Sequence, residues 1–214
     1  MKLTEKFLTE EFHIVNSSII IQKFIEYENL ILKWNSKVNL ISRRATGIED
    51  LILNSIFFIS EFKFQNGSTI CDIGTGGGFP GIPLSILFSQ FQFTLVDSIR
   101  KKVTALSDIV NSLNLKNVVT VNTRAETLRR FDENFESFDF VISKAVSELK
   151  YLYKWSRDLV KPNGKILCIK GGDVTGELRE LKKRYSGVRV KVIDFSFNQV
   201  YKIDDKKLLI IEPS

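Results

Sequence analysis

The chain has 214 residues, of which 43% are hydrophobic and 26% charged, and it carries a formal net charge of +6. That length suits one domain with a sizeable core and a small appendage. No apolar run approaches the roughly 20 residues of a membrane span, and Met1-Lys2-Leu3-Thr4-Glu5-Lys6 lacks the apolar core of a signal peptide, so a cytoplasmic protein with no membrane or metal partner, acting as a monomer, is expected.

Apolar residues Ile20, Phe24, Tyr27, Leu30, Ile31 and Trp34 recur at steps of three and four, which predicts an amphipathic helix over 17–35 capped by Ser17 or Ser18. A second helical stretch runs from about Ile48 to Phe62. No Pro-rich or Ser-rich linker follows, so residues 1–66 read as a helical region packed on a main domain of residues 67–214.

From residue 68 the period changes. Strands are predicted at Thr69–Ile73, Phe91–Val96, Asn117–Val121, Phe138–Ser143 and Lys165–Ile169, with helices over Lys101–Leu113, 147–160 and 174–184. Strands alternating with helices argue a doubly wound α/β fold of Rossmann type, with a mostly parallel sheet. Two late runs, Val188–Phe195 and Lys207–Ile211, have no long helix between them and predict antiparallel pairing. Cys71 and Cys168 lie in apolar runs and read as buried, reduced thiols.

The first of these strands ends in Asp72-Ile73-Gly74-Thr75-Gly76-Gly77-Gly78-Phe79-Pro80-Gly81-Ile82-Pro83. Glycines there let the backbone turn tightly and approach a ligand, and a side chain at Gly74 is expected to fill the ligand's space. Gly76, Gly78 and Gly81 satisfy the dinucleotide spacing, which alone is weak evidence. Asp72 favours a cationic ligand, such as the sulfonium of S-adenosylmethionine, over a pyrophosphate. Asp97 closes the second strand and suits ribose hydroxyls in either nucleotide, or else caps the helix that begins near Ile99. Thr123-Arg124-Ala125-Glu126 follows the third strand, where an adenine edge lies in this fold.

His13 is the only histidine, so a Ser-His-Asp triad or a His-rich metal site is unavailable. After the fourth strand stands Val141-Ile142-Ser143-Lys144-Ala145 and not the Asn/Asp-Pro-Pro-aromatic loop used in exocyclic-amine methylation. No catalytic base or nucleophile is evident, which suits an acceptor atom that already offers a lone pair, such as guanine N7. A catalytically weak RNA-binding module and an NAD-linked oxidoreductase remain as alternatives. The basic excess also falls unevenly. Residues 1–66 hold eight basic and eight acidic residues, whereas residues 67–214 hold 23 and 17. A polyanionic partner or an ordinary solvated surface explains this equally, and Arg43-Arg44, Arg100-Lys101-Lys102, Arg129-Arg130 and Lys206-Lys207 are the candidate phosphate contacts.

The chain resembles the RsmG family, also called GidB or glucose-inhibited division protein B, the 16S rRNA guanine-N7 methyltransferases. The resemblance rests on Trp34-Asn35 with Asn39-Leu40, the block Asp72 to Leu84, Asp97-Ser98 with Lys101-Lys102, Arg124-Ala125-Glu126, Val141 to Ala145, and Lys170-Gly171. It implies S-adenosylmethionine contacts at Gly74, Phe79, Asp97, Ser98, Ile99, Ala125, Glu126 and Lys144, to which the loop reading adds Asp72 and Gly76. It also implies a partner in 16S rRNA or the small ribosomal subunit. Departures from the family pattern stand at Leu51 and Asn54 before Ser55, at Lys144 in place of arginine, and at Lys206-Lys207.

Overall fold

The computed structural model describes residues 1–14, 17–131, 136–197, 199–201 and 203–213. Its strands are β1 (Thr69–Ile73), β2 (Gln92–Asp97), β3 (Val118–Asn122), β4 (Phe138–Lys144), β5 (Val160–Gly171), β6 (Arg189–Phe195) and β7 (Lys206–Glu212). They form one sheet in the order β3-β2-β1-β4-β5-β7-β6. The first five run parallel, and β7 lies antiparallel between β5 and β6. The winding reverses between β1 and β4, and in open α/β sheets ligands lie beyond the carboxyl ends of the strands at that reversal.

Alternation along the strands feeds two cores. Ile70, Phe93, Leu95, Ile142, Leu167, Leu208 and Ile210 face one side, and Cys71, Ile73, Val96, Val141, Cys168, Leu209 and Ile211 face the other. Against the first side pack α1 (Lys2–Phe12), α2 (Ser18–Asn35), α3 (Glu49–Ile56), α4 (Gly81–Leu87) and α5 (Arg100–Ser112). Against the second pack α6 (Leu128–Phe131), α7 (Leu149–Ser156) and α8 (Thr175–Arg184). Phe24, Tyr27 and Ile31 of α2 are fully buried in the same cluster as the sheet residues. Among the described residues no helix is long and apolar enough to cross a membrane, and both cysteines are buried and free.

Most expected elements stand within a residue or two of their places. The helix expected over 147–160 spans only Leu149–Ser156, and the one expected from Ile48 to Phe62 ends at Ile56 and continues as a 3-10 turn over Phe57–Ser60. Three further differences stand out. Residues Lys2–Phe12 form a helix that the sequence pattern did not announce. It docks through Phe7, whose ring meets Tyr201 edge-on at 5.0 Å, a contact made only in the folded chain. Ser17 precedes α2, but its side chain makes no capping hydrogen bond. Strand β5 begins five residues earlier than expected because its pairing with β4 slips, from Phe138 opposite Val160 to Phe140 opposite Lys165. The bulge absorbs Pro162-Asn163-Gly164, where proline has no N–H to give the ladder.

Candidate active site

The glycine loop is built from below and from the side. Beneath it, Asp72 at the end of β1 is fully buried. Its Oδ2 accepts the Thr75 hydroxyl at 2.7 Å and the Gly81 N–H at 2.9 Å, which closes the loop onto the start of α4. Its Oδ1 has no hydrogen-bond partner among the described residues. Burial pushes this carboxyl up to about 7, against the pull of those two hydrogen bonds and of Lys144. Asp72 therefore underlies the loop and lines neither of the two clefts that open on it.

From the side, α2 supplies Tyr27, whose hydroxyl donates to the Gly77 carbonyl at 2.6 Å. Asn35, at the end of that helix, accepts the N–H groups of Leu40 and Ile41 at 2.9 and 3.0 Å. This turn brings the Leu40 carbonyl to within 2.9 Å of where a Cβ on Gly77 would sit. The Trp34-Asn35 motif is thus a brace, and Trp34 Nε1 ties it to Asp108 of α5 at 2.8 Å. Pro80 and Pro83 stand at the start of α4, where a missing N–H costs nothing.

Gly74, Gly76 and Gly78 all take positive φ. A side chain at Gly74 would strike Val146, 2.7 Å from its Cγ2, and so would not point into empty ligand space as the sequence reading supposed. Gly76 has the open direction, with nothing nearer than 3.9 Å. The direction a side chain would take is therefore open at Gly76 and filled by Val146 at Gly74, while both glycines line the loop cleft.

Three clefts meet at the carboxyl end of the sheet. One, of about 560 Å³, runs along the loop and is lined by Gly74, Gly76, Phe79, Lys144, Leu40 and Arg44, among others. A second, of about 390 Å³, is lined by Gly74, Asp97, Ser98, Ile99, Ala125, Glu126 and Lys144, with Arg124, Val146 and Trp155 as further walls. The third, of about 570 Å³, carries Leu51, Asn54, Lys144, Lys170, Glu177 and Lys206. Lys144 lines all three. It sits 5.5 Å from the centroid of the Phe79 ring. Burial lowers its pKa, Asp72 opposes that shift, and Lys206 adds to it. The residue after it, Ala145, holds a φ of +54°, which turns the 145–148 loop between the second and third clefts.

The second cleft has the character of a nucleoside site. Asp97 is 7% exposed, and its two oxygens accept the N–H groups of Gly76 at 3.0 Å and Ile99 at 2.8 Å. The carboxylate ties the loop to the turn before α5, whose N-cap is Ile99, and its remaining lone pairs are available to ribose hydroxyls. Ile99 and Val146, 49% and 40% exposed, offer apolar faces to a flat base. Trp155 escaped the sequence reading because only tertiary packing brings α7 beside this cleft, and Val146 because an apolar loop residue after β4 carries no chemical signal of its own.

The basic candidates separate. Arg44 lines the loop cleft, while Arg43 donates to Asn39 Oδ1 at 2.7 Å. Arg100, Lys101, Arg129 and Arg130 are exposed and Lys102 is half-buried, and none of them lines the three clefts. Lys206 and Lys207 are adjacent on a strand and so face opposite sides of the sheet. Lys206 enters the third cleft, whereas Lys207 is paired with Asp194 at 2.8 Å and Asp205 at 3.0 Å. They do not form one phosphate clamp.

Residues 20–204 match the family model of rRNA small subunit methyltransferase G, or GidB. The chain is 34% identical over 209 residues to the ribosomal RNA small subunit methyltransferase G of Chlorobium chlorochromatii, covering 95% of this chain and 87% of that one. It is 41% identical over 176 residues to the protein of that name from Bacteroides fragilis, covering 77% and 81%. The chain belongs to the GidB family. Solved structures repeat the GidB fold at low identity. A SAM-dependent methyltransferase from Aquifex aeolicus superposes with a TM-score of 0.56 at 17% identity, covering 77% of this chain and 92% of that one. An rRNA methylase from Streptococcus thermophilus gives 0.51 at 12%, covering 81% and 98%. The oxidoreductase alternative ends with membership of GidB, and the doubly wound methyltransferase fold expected from the sequence is the one observed.

Proposed function

We propose that this chain transfers the methyl group of S-adenosylmethionine to N7 of a guanine in 16S rRNA of the small ribosomal subunit. The observation that carries the reading is the meeting of a nucleoside-shaped cleft, a glycine-loop cleft and a third, basic cleft at Lys144. The cofactor fits the residues present. Gly76 leaves room for it and Asp97 keeps lone pairs for its ribose, while the unpartnered Oδ1 of buried Asp72 favours a cation above the loop. When bound, S-adenosylmethionine supplies a methyl carbon on a sulfonium, which the guanine N7 lone pair takes as the carbon–sulfur bond breaks.

The third cleft is then the acceptor site. Its carboxylates are engaged: Glu177 pairs with Lys170 at 3.0 Å and accepts the Leu149 N–H at 2.8 Å, and Glu148 pairs with Lys150 at 2.9 Å. An N7 acceptor has no proton to lose, so a site without a free base is adequate, and the work of the protein is alignment. Lys144, Lys206 and Arg44 supply positive charge around an entering ribose-phosphate. Leu51 and Asn54, where this chain departs from its family, form the wall facing the acceptor.

Mapping N7-methylguanosine in rRNA by reduction and strand scission tests this reading. A scission site present in parental cells should vanish on deletion and return with the wild-type gene. An unchanged scission pattern after deletion refutes it.

A further inference from the structure

Helix α7 buries Leu149, Leu152, Tyr153 and Ser156, which leaves Lys150, Tyr151, Lys154 and Trp155 toward its outer side. Tyr151 is 40% exposed. Its ring stacks on Trp155 with centroids 6.3 Å apart and 25° between the planes. The Lys150 ammonium sits 5.2 Å from the Tyr151 centroid, and Lys154 on the next turn is exposed. The patch is continuous with the active site. Trp155 is also a wall of the nucleoside cleft, together with Arg124, whose side chain is 73% exposed.

We propose that this outer face of α7 is a stacking platform for an unpaired rRNA nucleotide flanking the target guanine, an inference that rests on the function proposed above. The half-exposed Tyr151 ring lies at 25° to the Trp155 plane, the Lys150 ammonium is over it, held by Glu148, and Lys154 is exposed on the next turn, so aromatic area and positive charge share one face. An unpaired nucleotide matches both features, with a flat base and an anionic phosphate. Duplex RNA hides its base faces and matches only the charge. The neighbouring 145–148 loop separates the platform from the acceptor cleft, so a strand whose guanine enters that cleft passes over Val146 toward Tyr151.

An i,i+4 aromatic pair also steadies a helix, and the test separates the two roles. Tyr151→Phe keeps the ring, whereas Tyr151→Leu keeps apolar packing and helix propensity but removes the plane. The probe is a short single-stranded oligouridylate, compared with an RNA duplex of equal length by fluorescence anisotropy. Tyr151→Leu should weaken single-strand binding about tenfold, as expected for loss of one base stack. Tyr151→Phe should bind like wild type, and duplex binding and S-adenosylhomocysteine affinity should hold in both. On small subunits, Tyr151→Leu should raise KM for the subunit and leave kcat in place. Equal single-strand binding by Tyr151→Leu and wild type overturns the platform, as does an equal loss on duplex. A loss on assembled subunits alone, with naked single strands unaffected, assigns the face to a ribosomal protein and also overturns it. If single strands bind in a Tyr151-dependent way while wild type methylates no subunit, the platform stands and the proposed function falls.

Discussion

Replacing Asp72 by asparagine should change how stability depends on pH. The carboxyl is fully buried, and burial raises its pKa from 3.8 to about 7. Below pH 4 it is protonated in the folded and the unfolded chain alike and contributes no pH dependence. Between 4 and 7 the unfolded chain releases the proton while the folded chain keeps it, so stability falls as pH rises. The slope for one group is about 1.4 kcal/mol per pH unit, which over roughly three units gives on the order of 4 kcal/mol. Asparagine has no such proton, and its carbonyl can still accept from Thr75 and Gly81. The difference in unfolding free energy, variant minus wild type, should therefore climb by that order between pH 4 and pH 7 and then level off. Urea denaturation of both proteins at several pH values measures this, because the other titrating groups are shared and cancel in the difference. Binding of a sulfonium above the loop favours the ionised carboxylate, so wild type should bind S-adenosylmethionine more tightly above pH 7 than at pH 5.5. The variant should lack that dependence. Parallel stability curves for the two proteins would refute the assignment of Asp72 as a buried acid that titrates near neutrality.

Tyr27→Phe leaves the Gly77 carbonyl without its donor and adds no cavity; a cost of about 1–2 kcal/mol is expected, seen as a fall in Tm of roughly 2–8 °C together with weaker cofactor binding by calorimetry. Gly81→Ala should be poorly folded, since its Cβ would lie 2.2 Å from Leu95 Cδ2. Gly76→Ala should stay folded and lose cofactor affinity, and circular dichroism with a binding titration distinguishes the pair. Lys206→Ala should flatten the salt dependence of RNA binding, while Lys207→Ala, whose charge is already matched by two carboxylates, should leave the slope unchanged. Lys144→Ala should cost on the order of 1–3 kcal/mol of transition-state stabilisation in methyl transfer, and near-wild-type rates from it would remove the residue from the site.

Local signals carried the sheet and the loop. Thr69–Ile73 is apolar, short and followed by glycines, so its strand and turn follow from residues next to one another. The late antiparallel pair was legible for the same reason, because too few residues join the two runs for a crossover helix. What escaped depends on contacts between distant residues. Nothing in the sequence tells that Tyr27 reaches Gly77, fifty positions away. Nor does it tell that Val146 packs beside Gly74, seventy-two positions away. The pair Lys206-Lys207 reads as one basic cluster until strand alternation sends the side chains apart. Asp97 reads as ribose partner or helix cap, and the structure uses it for neither cap nor turn alone: it joins Gly76 of the loop to Ile99 before α5, a link between distant segments that no local pattern announces.

The placement of β7 has a consequence for synthesis on the ribosome. Strand β5 is complete at Gly171, but its outer neighbour is built only from Lys206–Glu212. Strand β6 emerges earlier and has no partner until β7 slides in beside it. Tyr201, whose hydroxyl bonds to Glu10 of α1 across nearly the whole chain, comes just before β7. A nascent chain, or one cut short by an early stop codon before Lys206, therefore presents a bare edge along an apolar strand, with β6 left unpaired beyond it. Such an edge is a template for pairing with another chain, so a product missing only its last nine residues is a substrate for chaperones and proteases although every cofactor-loop residue is already made.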